Sequence, residues 1–280
     1  MTLFIDLRAT DKGGICADAA TVRQDGQTPS ADDFARQVRG RDLVLATHGF
    51  NVDRKSGIQS LSDWEKLCTL PPNCLFVGVL WAGDSRYLPV LDYPVEGDEA
   101  IKSGRLLSKF LNDNASGAAS VSFASHSLGG RVILQTLAGL NRRARRVLLM
   151  AGAIENNCLQ QEYGDGAKNA DQILVLASVS DWVLHLAFPI GNPIGEIIMH
   201  GHPYFRTALG RDGPAQPIPP DQQGGAWDIP KDWTYVHADY LPGKAGGTPL
   251  PLPATQPAPN DPKPQDKAAW SARVLSSIVA

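Results

Sequence analysis

Ser127 stands between Ser125-His126 and Leu128-Gly129-Gly130, where the apolar run Val121-Ser-Phe-Ala-Ser125 stops and glycines open a helix-like stretch. A strand–turn–helix corner at this point lifts one hydroxyl to the tip of a sheet, clear of its neighbours. The turn needs small residues two before and two after that hydroxyl, because larger ones clash. Ser125 and Gly129 occupy those places. Serine in the first is a departure from the usual glycine, but it is still small. A serine hydroxyl becomes a nucleophile when a base removes its proton and an acid orients that base. Two such partners are therefore required elsewhere in the chain, together with donors for an oxyanion.

The donors are expected from His48-Gly49-Phe50, which ends the apolar run Leu43-Val-Leu-Ala46. The backbone N–H of Phe50 can pair with that of Leu128 to hold the oxyanion of a tetrahedral intermediate. Each donor in such a pair is worth about 10²–10³ in rate. Gly49 is expected to be needed because a side chain there would crowd the substrate. For the acid, Asp181 follows the apolar run Ile173–Leu176, at the C-terminal edge of a strand where ligands and catalysis gather. Glu155, after Val147–Met150, is the rival.

Six histidines compete for the base. His48 and His126 adjoin the motifs and matter there through their backbone. His185 lies four residues past Asp181, on what reads as one helix, and would face away from Ser127. His200 and His202 flank Gly201 in a loop and stay open as alternatives. His237, in Trp233-Thr-Tyr-Val236-His237, follows a short strand-like run and precedes the closing segments of the chain, where the base belongs.

Those residues need a scaffold, and the pattern around them supplies one. Short strands are expected over 3–7 and 20–24, and buried strands over Leu43–Ala46, Leu75–Trp81, 121–125, Val147–Met150 and Ile173–Leu176. Between them Ile58, Leu61, Trp64 and Leu67 recur at helical spacing and stop before Pro71-Pro72. Helices are also expected over 98–112 and 128–140. This alternation predicts an α/β fold: a mostly parallel, doubly wound sheet in a three-layer αβα arrangement. The catalytic domain is expected over 1–241, with an irregular wall beside the site over 184–232. A Pro-rich strap follows over 242–265, and a helix over 266–280, N-capped by Asp266, packs on the same domain.

The totals narrow the function classes. A chain of 280 residues, 43% hydrophobic with net charge −3, has no basic excess for nucleic acid or an anionic membrane surface. Arg142, Arg143, Arg145 and Arg146 cluster after a helix, where cations close its C-terminus. No run of about eighteen apolar residues suggests a spanning helix. The opening Met-Thr-Leu-Phe-Ile-Asp-Leu-Arg lacks a leader pattern, so a cytoplasmic location is expected. Cys16, Cys68, Cys74 and Cys158 form no CxxC pair, so reduced thiols are the expectation, and a Cys68–Cys74 bridge has little to recommend it.

Taken together, His48-Gly49-Phe50, Ser125-His126-Ser127-Leu128-Gly129, Ser180-Asp181 and the late His237 resemble the α/β-hydrolase superfamily, in its lipase- and esterase-like branch. The resemblance covers residues 41 to 240 or so. It implies Ser127 as nucleophile, Asp181 as acid, His237 as base, and Phe50 and Leu128 as oxyanion donors. It implies hydrolysis of carboxylic esters through an acyl-enzyme, with no metal and no organic cofactor. The partner is a small-molecule ester, and Trp81, Tyr87, Leu88, Trp182 and Phe188 are candidates for an apolar substrate pocket. Acyl transfer or thioester cleavage on the same residues is a second expectation. A non-catalytic binding protein on a hydrolase scaffold is a third.

Overall fold

The computed structural model describes residues 2–84, 93–185, 207–218, 224–242, 256–258 and 261–280. The apolar runs become strands β1 (Leu3–Arg8), β2 (Cys16–Arg23), β3 (Asp42–Thr47), β4 (Cys74–Leu80), β5 (Ser120–His126), β6 (Val147–Met150), β7 (Ile173–Ala177) and β8 (Gly225–Asp228). They form one sheet in the order β2-β1-β4-β3-β5-β6-β7-β8. β2 pairs antiparallel with β1, and the remaining pairs are parallel.

Continuous apolar strands are what a sheet covered on both faces requires. In β3, Leu43 and Leu45 face one core while Val44 and Ala46 face the other. The first core is closed by helices α1 (Ala31–Val38), α3 (Tyr93–Asn114) and α4 (Gly129–Gly139), and the second by α2 (Arg54–Leu67) and the C-terminal helix Lys267–Val279. A further short helix, α5 (Gly164–Lys168), packs on α4. The helix starts are capped as their residue types predict. Ser30 and Asp33 form a capping box on α1, and Asp53 and Asp266 cap α2 and the C-terminal helix.

β3 has β4 on one side and β5 on the other, so the chain changes direction across the sheet between them. That switch point opens a crevice at the C-terminal ends of β3 and β5, where open α/β sheets bind ligands. His48–Phe50 and Ser127 sit there. The arginine cluster lies at the opposite end of the strands. Arg142 donates to the carbonyls of Ala118 and Ala119, and Arg143 to those of Lys168 and Ala170.

Two elements depart from expectation. The stretch before His237 is not a strand: Lys231–Trp233 is a 3₁₀ turn and Thr234 is left-handed, with φ 49°. The last strand is β8, inside the region expected to be irregular. Its entry needs glycine, because a Cβ on Gly224 would sit 1.7 Å from the Ile173 carbonyl oxygen. That requirement made the strand read as a loop in the sequence. All four cysteines are free thiols, as expected. Among the described residues no helix is long and apolar enough to cross a membrane. Most of the 242–265 strap lies outside the described residues, but the C-terminal helix packs on the sheet.

Candidate active site

Ser127 is the residue after β5, with φ 55°, and is buried. A non-glycine residue in this region costs of order 1–3 kcal/mol and persists only where the surroundings enforce it. Here the Ser127 N–H donates to the Met150 carbonyl (2.9 Å), and its own carbonyl accepts from Gly130 (3.1 Å). Ser125 is paired on both sides, with Thr47 and Leu149. Gly130 is needed for Ile154, whose Cδ1 would lie 2.9 Å from a Cβ there, while Ser125 Oγ would stay at ordinary contact distance.

Ser127 Oγ lies 2.8 Å from His237 Nε2, and His237 Nδ1 lies 2.8 Å from Asp181 Oδ2. Asp181 is fully buried just beyond β7, and its other oxygen accepts from the Leu184 N–H at 3.0 Å. A carboxylate held at both oxygens can fix the imidazole so that Nε2 faces the serine hydroxyl. Glu155, the rival acid, sits after β6, where its backbone bridges Ala208. His185 is exposed on the helical turn 182–185. His200, His202, Tyr87, Leu88 and Phe188 lie outside the described residues.

His237 rests on the single 3₁₀ turn His237–Asp239, which belongs to no sheet. Its flanks are tied down instead. Ser178 Oγ donates to the Tyr235 carbonyl (2.8 Å), and Asp239 accepts from the Val236 N–H (2.8 Å). Lys267, at the start of the C-terminal helix, donates to the Thr234 carbonyl (2.7 Å) and to Asp239 (2.5 Å). Tyr235 packs against Tyr240 and Trp270, and its hydroxyl donates to the Lys267 carbonyl.

The loop after β3 lies directly on the Ser127 turn. A Cβ on Gly49 would come within 2.9 Å of both the His126 ring and Ser127 Cβ, and one on Gly129 within 2.4 Å of the His48 carbonyl oxygen. Gly49 is thus demanded by the approach of two protein segments, whereas the sequence suggested substrate crowding. Among the described residues neither the Phe50 nor the Leu128 backbone N–H donates to a protein acceptor. Leu128 is the N-cap residue of α4, an end of the helix where the dipole favours negative charge.

Trp81, expected beside the substrate, is wholly buried. Its indole N–H donates to the His48 carbonyl (2.8 Å) and its ring stacks on His48. Arg8 in turn donates to the Trp81 carbonyl (2.8 Å) and pairs with buried Asp84. Trp182 is 60% exposed beside Asp181. The tryptophan destined for the interior was thus the one after a strand. Arg8, Asp84, Lys267 and Tyr235 escaped the sequence reading. The signal available for the first two was a charge closing each of two apolar strands, which means a pair only once β1 and β4 are known to be neighbours.

Burial holds the His48 imidazole far below its usual range, down to about 4, partly opposed by its hydrogen bond to the Gly49 carbonyl. The unfolded chain therefore takes up a proton that the folded chain refuses. Stability contributed by neutral His48 is fully present above about pH 6.5 and falls as the pH drops from there toward 4, by up to about 1.4 kcal/mol per pH unit. Urea midpoints at pH 7 and pH 4.5 should separate, and His48→Gln should narrow that separation. Parallel pH dependence in the variant would remove His48 as the cause.

A family model described as an alpha/beta hydrolase of unknown function (DUF900) matches residues 27–214. That span includes Phe50, Ser127 and Asp181 and ends before His237. Among solved structures, esterase PE8 is 16% identical, covering 72% of this chain and 86% of that one at a TM-score of 0.40. Acetyl xylan esterase 1 from Thermoanaerobacterium sp. JW/SL YS485 is 11% identical, covering 80% and 74% at 0.38. A hyperthermophilic esterase from the archaeon Pyrobaculum calidifontis is 14% identical, covering 71% and 70% at 0.37. No curated protein matches.

Proposed function

The chain belongs to the alpha/beta hydrolase family of unknown function, DUF900, and on the geometry of its site we propose that it is a serine hydrolase cleaving carboxylic esters. The observation that carries this reading is the unbroken line of hydrogen bonds from Ser127 Oγ through His237 to Asp181, 2.8 Å at each step. His237 Nε2 takes the proton as Ser127 Oγ attacks the ester carbonyl carbon. The N–H groups of Phe50 and Leu128 hold the oxyanion, and Asp181 stabilises the imidazolium. The imidazolium then protonates the departing alcohol, leaving an acyl-enzyme on Ser127. Water activated by the same His237 releases the acid and restores the serine.

Trp182 and Val179 are exposed on the loop that carries Asp181 and offer apolar surface to the acyl or alcohol part of a substrate. The left-handed Ser127 backbone lies where its hydroxyl meets the His237 ring, and strain at such a meeting point favours a working enzyme over an idle scaffold.

A fluorophosphonate probe tests the proposal, because it phosphonylates activated serines and ignores idle ones. One equivalent should attach, with the mass increment on the Ser127 peptide. The protein should also turn over p-nitrophenyl esters in a graded chain-length series. Absence of labelling together with absence of turnover across the series would reject the reading.

A further inference from the structure

His126 entered the sequence reading only as a backbone neighbour of the nucleophile, yet the residue adjoins three parts of the site. It is covalently next to Ser127. Its Nδ1 edge faces Gly49, where a Cβ would come within 2.9 Å. Its Nε2 lies 2.6 Å from the carbonyl oxygen of His237, and the two imidazole rings are 5.0 Å apart.

A carbonyl oxygen only accepts, so that contact requires the proton on Nε2. Partial burial and the neighbouring His237 keep the ring in its neutral form.

We propose that His126 is a positioning residue, whose Nε2–H bond to the His237 carbonyl locks the base-bearing turn to the nucleophile turn. The inference rests on the serine-hydrolase reading above. The need for such a lock follows from the fold. Ser127 is held by the sheet, whereas His237 sits on one 3₁₀ turn 110 residues away. The ties from Ser178, Asp239 and Lys267 all fall on the flanks at 234–236 and 239. Among the described residues, the His126 ring is the side chain that holds the peptide unit of His237 itself. Without it the imidazole can drift from Ser127 by a fraction of an ångström to an ångström, a displacement that costs about 10²-fold when chemistry depends on a near-attack geometry.

His126→Phe keeps a ring and removes the donor, while His126→Gln keeps an N–H of similar reach. On a p-nitrophenyl ester, His126→Phe should lower kcat by about 10- to 100-fold with KM within about twofold of wild type. Its fluorophosphonate labelling rate should fall in step, and His126→Gln should recover most of both. Wild-type kcat in folded His126→Phe, or equal impairment in both variants, would overturn the proposal, the second because it would make packing rather than the donor responsible. Nitrogen-15 spectra of the histidines in the unmutated protein provide a test that does not depend on either variant folding. They should show His126 neutral and protonated at Nε2 between pH 5 and 9, and protonation at Nδ1 would overturn the proposal. Full activity in Ser127→Ala would instead defeat the serine-hydrolase reading itself, so the two failures are distinguishable.

Discussion

Replacing Ser127 with alanine is expected to reduce ester hydrolysis by about 10⁴–10⁶-fold while leaving the protein folded. The substitution removes one hydroxyl and nothing that holds the turn. The bonds from the Ser127 N–H to Met150 and from Gly130 to the Ser127 carbonyl are made by the backbone and survive. Alanine must adopt the same left-handed φ as serine, so the local strain is little altered. His237 is partly open to solvent and can find water for its freed Nε2. The urea midpoint should therefore stay close to wild type, with a stability change within about 0.5–1 kcal/mol. Fluorophosphonate labelling should vanish with the activity. Retention of more than a tenth of wild-type turnover would mean that another group attacks the substrate.

The second large effect is expected at the acid. Asp181→Asn should lower kcat by about 10⁴-fold, the scale seen when a triad carboxylate becomes an amide. The cause is a tautomer. An amide N–H₂ facing His237 Nδ1 pushes the ring proton to Nε2, where it points at Ser127 Oγ and cannot accept the serine proton. The amide oxygen can still accept from Leu184, so the loop keeps its shape. Glu155→Gln preserves shape in the same way at the rival position. Its effect is expected to stay within a few-fold, since His237 Nδ1 is already engaged by Asp181. Steady-state kinetics of the two variants side by side make the comparison. Severe loss in Glu155→Gln with mild loss in Asp181→Asn would transfer the acid to the loop after β6.

Much of the architecture was legible because its causes are local. Leu43–Ala46 and Ile173–Leu176 read as buried strands from their unbroken apolar character, and Asp266 caps the C-terminal helix by reaching the Ala269 N–H three residues on. The corner at Ser127 was legible from its small flanking residues, although Gly129 is also required by the distant His48 carbonyl. Chain order alone could also nominate Asp181 and His237 as partners for Ser127.

Tertiary structure decided what depends on which strands become neighbours. Trp81 reads like any tryptophan at a strand end until β4 lies beside β3 and its indole meets the His48 carbonyl. Gly49 is required by a His126 ring 77 positions later in the chain, and β8 exists because a glycine lets its backbone reach Ile173. The turn that carries His237 has no strand of its own and is held by the C-terminal helix and by His126, contacts spanning 28 to 111 positions. A residue's type and its near neighbours govern sterics and hydrogen bonds over a few positions. Contacts across a hundred positions are selected by strand order and by burial of both sheet faces together, which no local stretch of sequence encodes.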